Sequence, residues 1–224
     1  MTEEKKDTLA RETAADEQKL QKERKTIDAL TDFSNMYDFK KDSNHEYKTE
    51  AGLTPDVVRE ISSKKNEPKW MLDARLKSLD LYYQIPYPEW GPDISGLDMA
   101  NIVTYVRPNA RMSANWNDLP EDIKDTFDRL GIPEAEKTSL AGVGAQYDSE
   151  VVYHNVKAEV AAQGVVYTDI ESALNGPYAE MVRTHFMKLV PPTDHKFAAL
   201  HGAVWSGGSF VYVPKGVQVS IPLQ

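Results

Sequence analysis

The first thirty residues hold only four branched aliphatic side chains, Leu9, Leu20, Ile27 and Leu30, at spacings of 11, 7 and 3. Neither a heptad nor a broad amphipathic face follows from that spacing. Alanine, glutamate, lysine and glutamine dominate instead, so transient helix has little apolar area to hold it down. Residues 1–45 therefore read as a disordered, charged tail. Whatever folds must begin after it.

Order is predicted from about Gly52. In "GLTPDVVREISSKKNEPKW", Thr54 suits an N-cap and Pro55 the first helical position, where its missing N–H removes no bond. Leu53 and Val58 then occupy the two positions of a hydrophobic staple. A second helix starts after Pro68, with Leu72, Leu76, Leu79 and Tyr83 on one face. Pro86 and Pro88 stop it. The stretch 86–116 is irregular, and "NIVTYV" (101–106) offers one short strand. In "DLPEDIKDTFDRLGIP", Ile123, Phe127 and Leu130 line a third helix, Glu121, Asp122 and Asp125 suit its positive end, and Gly131 terminates it. A short helix is expected from Pro133 through Leu140. Residues 46–163 thus read as a helical region.

Over 164–224 the texture changes. "GVVYTD", "GSFVYV" and "GVQVSI" are β-rich, with the helical "YAEMVRTHFMKLV" among them. Val217, Val219 and Ile221 alternate strictly with Gln218 and Ser220. Pro214-Lys215-Gly216 fits a type I turn with proline second and glycine fourth. That turn could close an antiparallel hairpin or form a corner of a coiled parallel sheet, and local sequence does not choose between them.

Composition narrows the chemistry. A net charge of −9 opposes nonspecific binding to nucleic acid or anionic membrane. No apolar run reaches the roughly 18–20 residues of a membrane span. Glu3, Glu4, Asp7 and Glu12 argue against an organellar transit peptide, so the cytoplasm is the expected compartment. There is no cysteine at all, which removes disulfides, thiolate metal sites and cysteine nucleophiles together. The five histidines, His45, His154, His185, His195 and His201, form no zinc motif. "GVGAQ" lacks the phosphate-loop pattern, so Gly142 and Gly144 are expected to serve backbone turning, and Gly207-Gly208 a tight helix-to-strand turn. The aromatics Trp70, Tyr82, Tyr83, Tyr87, Trp90, Trp116, Trp205, Phe210 and Tyr212 are expected mainly in the core. No catalytic, cofactor-binding or metal-binding residue emerges.

Three phrases carry a resemblance: "ISSKKNEPKWML" (61–72), "LGIPEAEKTSLAGVGAQYDSEVVYH" (130–154) and "VPPTDHKFAALHGAVWSGGSFVYVPKGV" (190–217). In this order they resemble the SufB/SufD family of the SUF iron–sulfur cluster assembly system, the first two phrases pointing to its SufB branch. The resemblance implies an α+β fold, a helical N-terminal region leading into the first rungs of a right-handed parallel β-helix, here truncated. It favours the corner over the hairpin. It also implies a scaffold for nascent iron–sulfur clusters, working with SufD, an ABC-type ATPase (SufC) and sulfur-donor proteins. The family's cluster ligands, sulfur-accepting cysteine and ATPase-gripping helices are expected beyond Gln224, so no site residue is carried over. On this cysteine-free segment no cluster is expected.

Two other readings stand beside it. One is a free-standing protein-interaction module, suggested by the charged tail and by Pro86, Pro88, Pro92 and Pro108. The other is an enzyme using carboxylates such as Glu150 or Asp169 as acid and base, which would require burial or close neighbours to tune them.

Overall fold

Thr54 starts the first helix as its sequence demands. In the computed structural model, which describes residues 44–130 and 140–224, helix α1 spans Pro55–Lys64 and the Thr54 hydroxyl accepts from Val57 N–H at 3.2 Å. Leu53 and Val58 are buried in one apolar cluster, completing the staple. At the other end Asn66 takes a left-handed φ of 50°, a conformation asparagine tolerates. Strand β1 (His45–Lys48) precedes α1, so His45 belongs to a strand rather than to the tail. The tail reading over 1–43, Gly131 as terminator and the short helix after Pro133 lie outside the described residues.

The chain divides into two compact units, residues 1–42 with 126–132, and residues 43–125 with 133–224. Of the first, residues 126–130 are described. They end helix α3 (Glu121–Arg129), in which Ile123 and Phe127 are buried, and Leu130, just past its end, is exposed.

In the second unit, α2 (Lys69–Gln84) follows Pro68 and ends before Pro86, as the prolines require. Its buried face is rotated from the expected one. Met71, Arg75, Ser78, Leu79 and Tyr82 are buried, while Tyr83 is 59% exposed. The reason is the neighbouring helix α7 (Lys196–Val204), which approaches so closely that a Cβ on Gly202 would lie 2.5 Å from Ser78 Oγ. A seam of small residues and a buried arginine is invisible to apolar periodicity. Leu53, Val58, Leu79, Tyr82, Ala199 and Ala203 fill the core between these helices.

The strand expected over 101–106 is displaced. Residues Met99–Asn101 form a 3-10 turn, and β2 is Val106–Pro108, antiparallel to β1. A larger correction falls within the stretch read as helical. β3 (Gly142–Tyr147) and β4 (Glu150–Val156) form a hairpin, turning at Asp148 with φ 51°. Gly142 and Gly144 therefore lie inside a strand and do not turn the backbone. Gly142 serves close approach instead: a Cβ there would lie 2.4 Å from Tyr167 Cδ1.

After α4 (Ala158–Ala161), β5 (Val166–Asp169) pairs antiparallel with β6 (Ser209–Tyr212), matching "GVVYTD" and "GSFVYV". Helices α5 (Ile170–Asn175), α6 (Ala179–His185) and α7 lie between them. Gly207 and Gly208 turn α7 into β6 at φ 66° and 118°.

The turn at Pro214 closes no hairpin, since β6 pairs with β5. It also sits one residue later than expected: Val217 N–H donates to Pro214 O at 3.1 Å, and Gly216 takes φ 84° at the third position, as a type II turn requires. Residues 217–221 form no strand ladder. Val217, Val219, Ile221 and Leu223 nevertheless pack against buried Ala141, Val160 and Val165. Leu223 makes a parallel bridge to Gly142, and Gln224 N–H donates to Gly142 O at 3.0 Å. Among the described residues no helix is long and apolar enough to cross a membrane.

Candidate functional site

Lys65, the residue that caps the end of α1, meets two carboxylates distant in sequence. Its side chain is fully buried. The ammonium lies 3.2 Å from Glu150 Oε1, at the start of β4, and also donates to Glu171 in the first turn of α5. Glu150 accepts the Tyr105 hydroxyl as well, and Arg107 Nε lies 3.5 Å from it. Glu171 accepts from Gly207 N–H at 3.1 Å. A buried charge left alone would be penalised by several kcal/mol. Here Lys65, Glu150 and Glu171 each have at least two partners, drawn from the end of α1, the approach to β2, β4, α5 and the turn before β6.

Beyond this cluster opens a cavity of about 450 Å³, walled by Glu46, Arg107, Arg111, Glu150, Asp169 and Glu171 among others. Burial pushes the Tyr105 phenol well above its usual range, reinforced by its bond to Glu150. Burial opposes the charge on Arg107, but Tyr105 and Glu150 outweigh it and raise its pKa.

The two carboxylates that an enzyme reading would use, Glu150 and Asp169, both line this cavity. Both have structural partners. Glu150 is held by a lysine, a tyrosine and an arginine, and Asp169 Oδ1 caps α5 by accepting from Ser172 N–H at 2.8 Å. The cluster can tie a helix, a hairpin and a second helix together.

The histidines are dispersed. His195 caps α7, its Nδ1 accepting from Phe197 N–H at 3.1 Å and from Ala198 N–H at 3.3 Å. His154 sits edge-on to the Tyr167 ring at 4.5 Å. Among the described residues no three histidine, aspartate or glutamate side chains converge to hold a metal ion. With no cysteine in the chain, these residues do not fit an iron–sulfur cluster. Of the aromatics, Tyr82 and Trp205 are core, whereas Tyr83 and Trp90 stand exposed. Sequence reasoning missed Lys65, Glu171, Arg107 and Tyr105 as a set. Their only signal was a lysine at a helix end, because partners up to 106 positions apart leave no local pattern.

A family model described as "SufBD protein N-terminal region" matches residues 62–224. The Bacillus subtilis (strain 168) protein named iron-sulfur cluster assembly protein SufB is 56% identical over 178 residues, covering 80% of this chain and 38% of the relative. A Staphylococcus aureus (strain USA300) protein, named an iron-sulfur cluster assembly SufBD family protein, is 52% identical over 188 residues, covering 84% of this chain and 40% of the relative. The chain thus spans about two fifths of the length of these curated relatives.

Proposed function

The chain belongs to the SufBD family, and on that premise we propose that it forms the N-terminal part of a scaffold for iron–sulfur cluster assembly. The observation that carries this reading is the family match over residues 62–224. The complete absence of cysteine sets the division of labour: this segment contributes shape, while thiolate ligands come from elsewhere in a family-length protein. Its role is non-enzymatic, and nascent clusters are its cargo. The cytoplasm is the expected compartment.

We further propose that the end of the chain enters a parallel β-helix. The alternating burial of Val217, Val219, Ile221 and Leu223, and the parallel bridge from Leu223 to Gly142, support that continuation. A SufC-type ATPase, a SufD-type subunit and a sulfur donor are the partners this family role implies.

The test is a chimaera in which residues 46–224 replace the matching segment of the Bacillus subtilis relative. After anaerobic reconstitution beside the unaltered relative, the chimaera is expected to match the relative in iron and sulfide content, while this chain alone is expected to hold neither in stoichiometric amount. A folded chimaera without cluster, or a stable cluster on the isolated chain, would overturn the reading.

A further inference from the structure

The loop between α6 and α7 presents its apolar residues outward. Met187 takes a left-handed φ of 51°, and beyond it Leu189 is 96% and Val190 55% exposed. Pro191 and Pro192 follow directly and restrict the backbone there. Two grooves, of about 460 and 470 Å³, flank the loop and meet at Phe186 and Met187, which line both. Contiguous apolar surface of this kind marks a site of interaction.

Charge identifies the occupant. The chain carries 35 acidic against 26 basic residues, yet among the described residues the two linings contain Lys77, Arg183 and Lys188 and no carboxylate. Lys77 and Lys188 make no ion pair among the described residues. Arg183 faces Glu180 only at 3.9 Å, with both side chains largely in water. A net charge of −9 disfavours an anionic membrane, and paired concave grooves suit a rod better than a flat bilayer.

We propose that this surface docks an amphipathic helix of a partner protein, its apolar residues seated against Leu189, Val190 and Phe186 and its flanking carboxylates facing Lys77, Arg183 and Lys188. The inference is independent of the scaffold reading, and its test involves no cluster.

Two fluorescent synthetic helices of about 18 residues, one with leucines at helical spacing among glutamates and its lysine-substituted twin, are titrated into the full chain by anisotropy. The acidic helix is expected to bind ~10-fold or more tightly than its twin and to weaken with salt. Leu189→Asp and Lys188→Glu should each weaken it ~10-fold, and Leu97→Asp should not. Circular dichroism confirms that the variants fold, as expected for so exposed a side chain. Four results overturn the proposal: equal binding of the twins, indifference to Leu189→Asp, sedimentation with phosphatidylserine vesicles in place of peptide binding, or a homodimer that Leu189→Asp dissolves.

Discussion

Arg75 Nη2 lies 2.6 Å from Glu67 Oε1, and both side chains are wholly withdrawn from solvent. The pair is bidentate, since Arg75 Nε also reaches Glu67 Oε2 at 2.7 Å. The same guanidinium donates to Ala203 O at 3.1 Å and Trp205 O at 2.9 Å, and it lies 4.6 Å from the Trp205 ring centre. One arginine therefore closes the α1–α2 turn, caps the end of α7 and supports the entry to β6.

Arg75→Met leaves a buried glutamate without its cation, so a loss of about 3–5 kcal/mol is expected in urea unfolding. Glu67→Leu alone should also destabilise, because Arg75 keeps only its carbonyl partners. The Glu67→Leu/Arg75→Met double variant should recover part of the loss, since neither charge then remains buried alone. Recovery stays incomplete because the Ala203 and Trp205 carbonyls lose their donor. A double-mutant cycle with no coupling would contradict the geometry.

Lys196 plays a related part with no carboxylate. Its ammonium donates to Tyr82 O at 2.6 Å and Ile85 O at 2.9 Å, satisfying carbonyls at the end of α2. Lys196→Met should destabilise the chain by about 2 kcal/mol, the scale of charge-assisted hydrogen bonds. Hydrogen exchange gives a local reading: the Ile85 amide, bonded to Leu81 O at 2.9 Å, should lose protection before the centre of α2 does.

Gly142 tests the contact between β3, Tyr167 and the last residues. A methyl group there would meet Tyr167 Cδ1 at 2.4 Å and Leu223 Cδ2 at 2.9 Å. Both are ring or branched atoms in a packed setting, so Gly142→Ala should destabilise by about 1–3 kcal/mol through overpacking. Gly96 has no heavy atom within 4 Å of such a methyl, and Gly96→Ala should stay within about 0.5 kcal/mol of the parent. Equal midpoints for the two variants would show that the approach at Gly142 is not tight.

These sites mark where the sequence was legible. Local rules read α1 almost completely, because Thr54, Pro55 and the Leu53–Val58 staple act within a few residues. Prolines placed both ends of α2. The buried face of α2 was misread because Gly202, more than a hundred positions later, sets the approach that favours Ser78 and Arg75 over Leu72 and Leu76. The β3–β4 hairpin was missed for a related reason: its glycines looked like turn residues, and the close approach of Tyr167, joined at Gly142 by Leu223, explains them. The Lys65 cluster is non-local throughout. The alternation at 217–221, by contrast, predicted the buried face correctly, although no strand ladder forms there and, of the two turns left open at Pro214, the local hairpin is not present.

His154 sets the last expectation, a pH dependence. Burial lowers its pKa from the ordinary 6.5, against a smaller opposing pull from Asp169. Its Nε2 is buried with no hydrogen-bond partner among the described residues, which suits a neutral ring. The folded state therefore takes up this proton less readily than the unfolded chain. The stability it contributes is complete above the unfolded value near 6.5 and drains away as pH falls from there through the lower folded pKa. His154→Phe keeps a ring against Tyr167 and removes the proton, so it should flatten this slope while leaving the denaturant m-value unchanged. Asp148 contributes with the opposite sign. Burial raises its pKa above 3.8, so its contribution is present below that value and is lost as pH rises through the folded one. Asp148→Asn removes that second effect and suits the φ of 51° found there. In the Asp148→Asn background, a stability that still falls from pH 6.5 downward, and that His154→Phe then levels, assigns the drop to His154; a slope that His154→Phe leaves intact assigns it elsewhere.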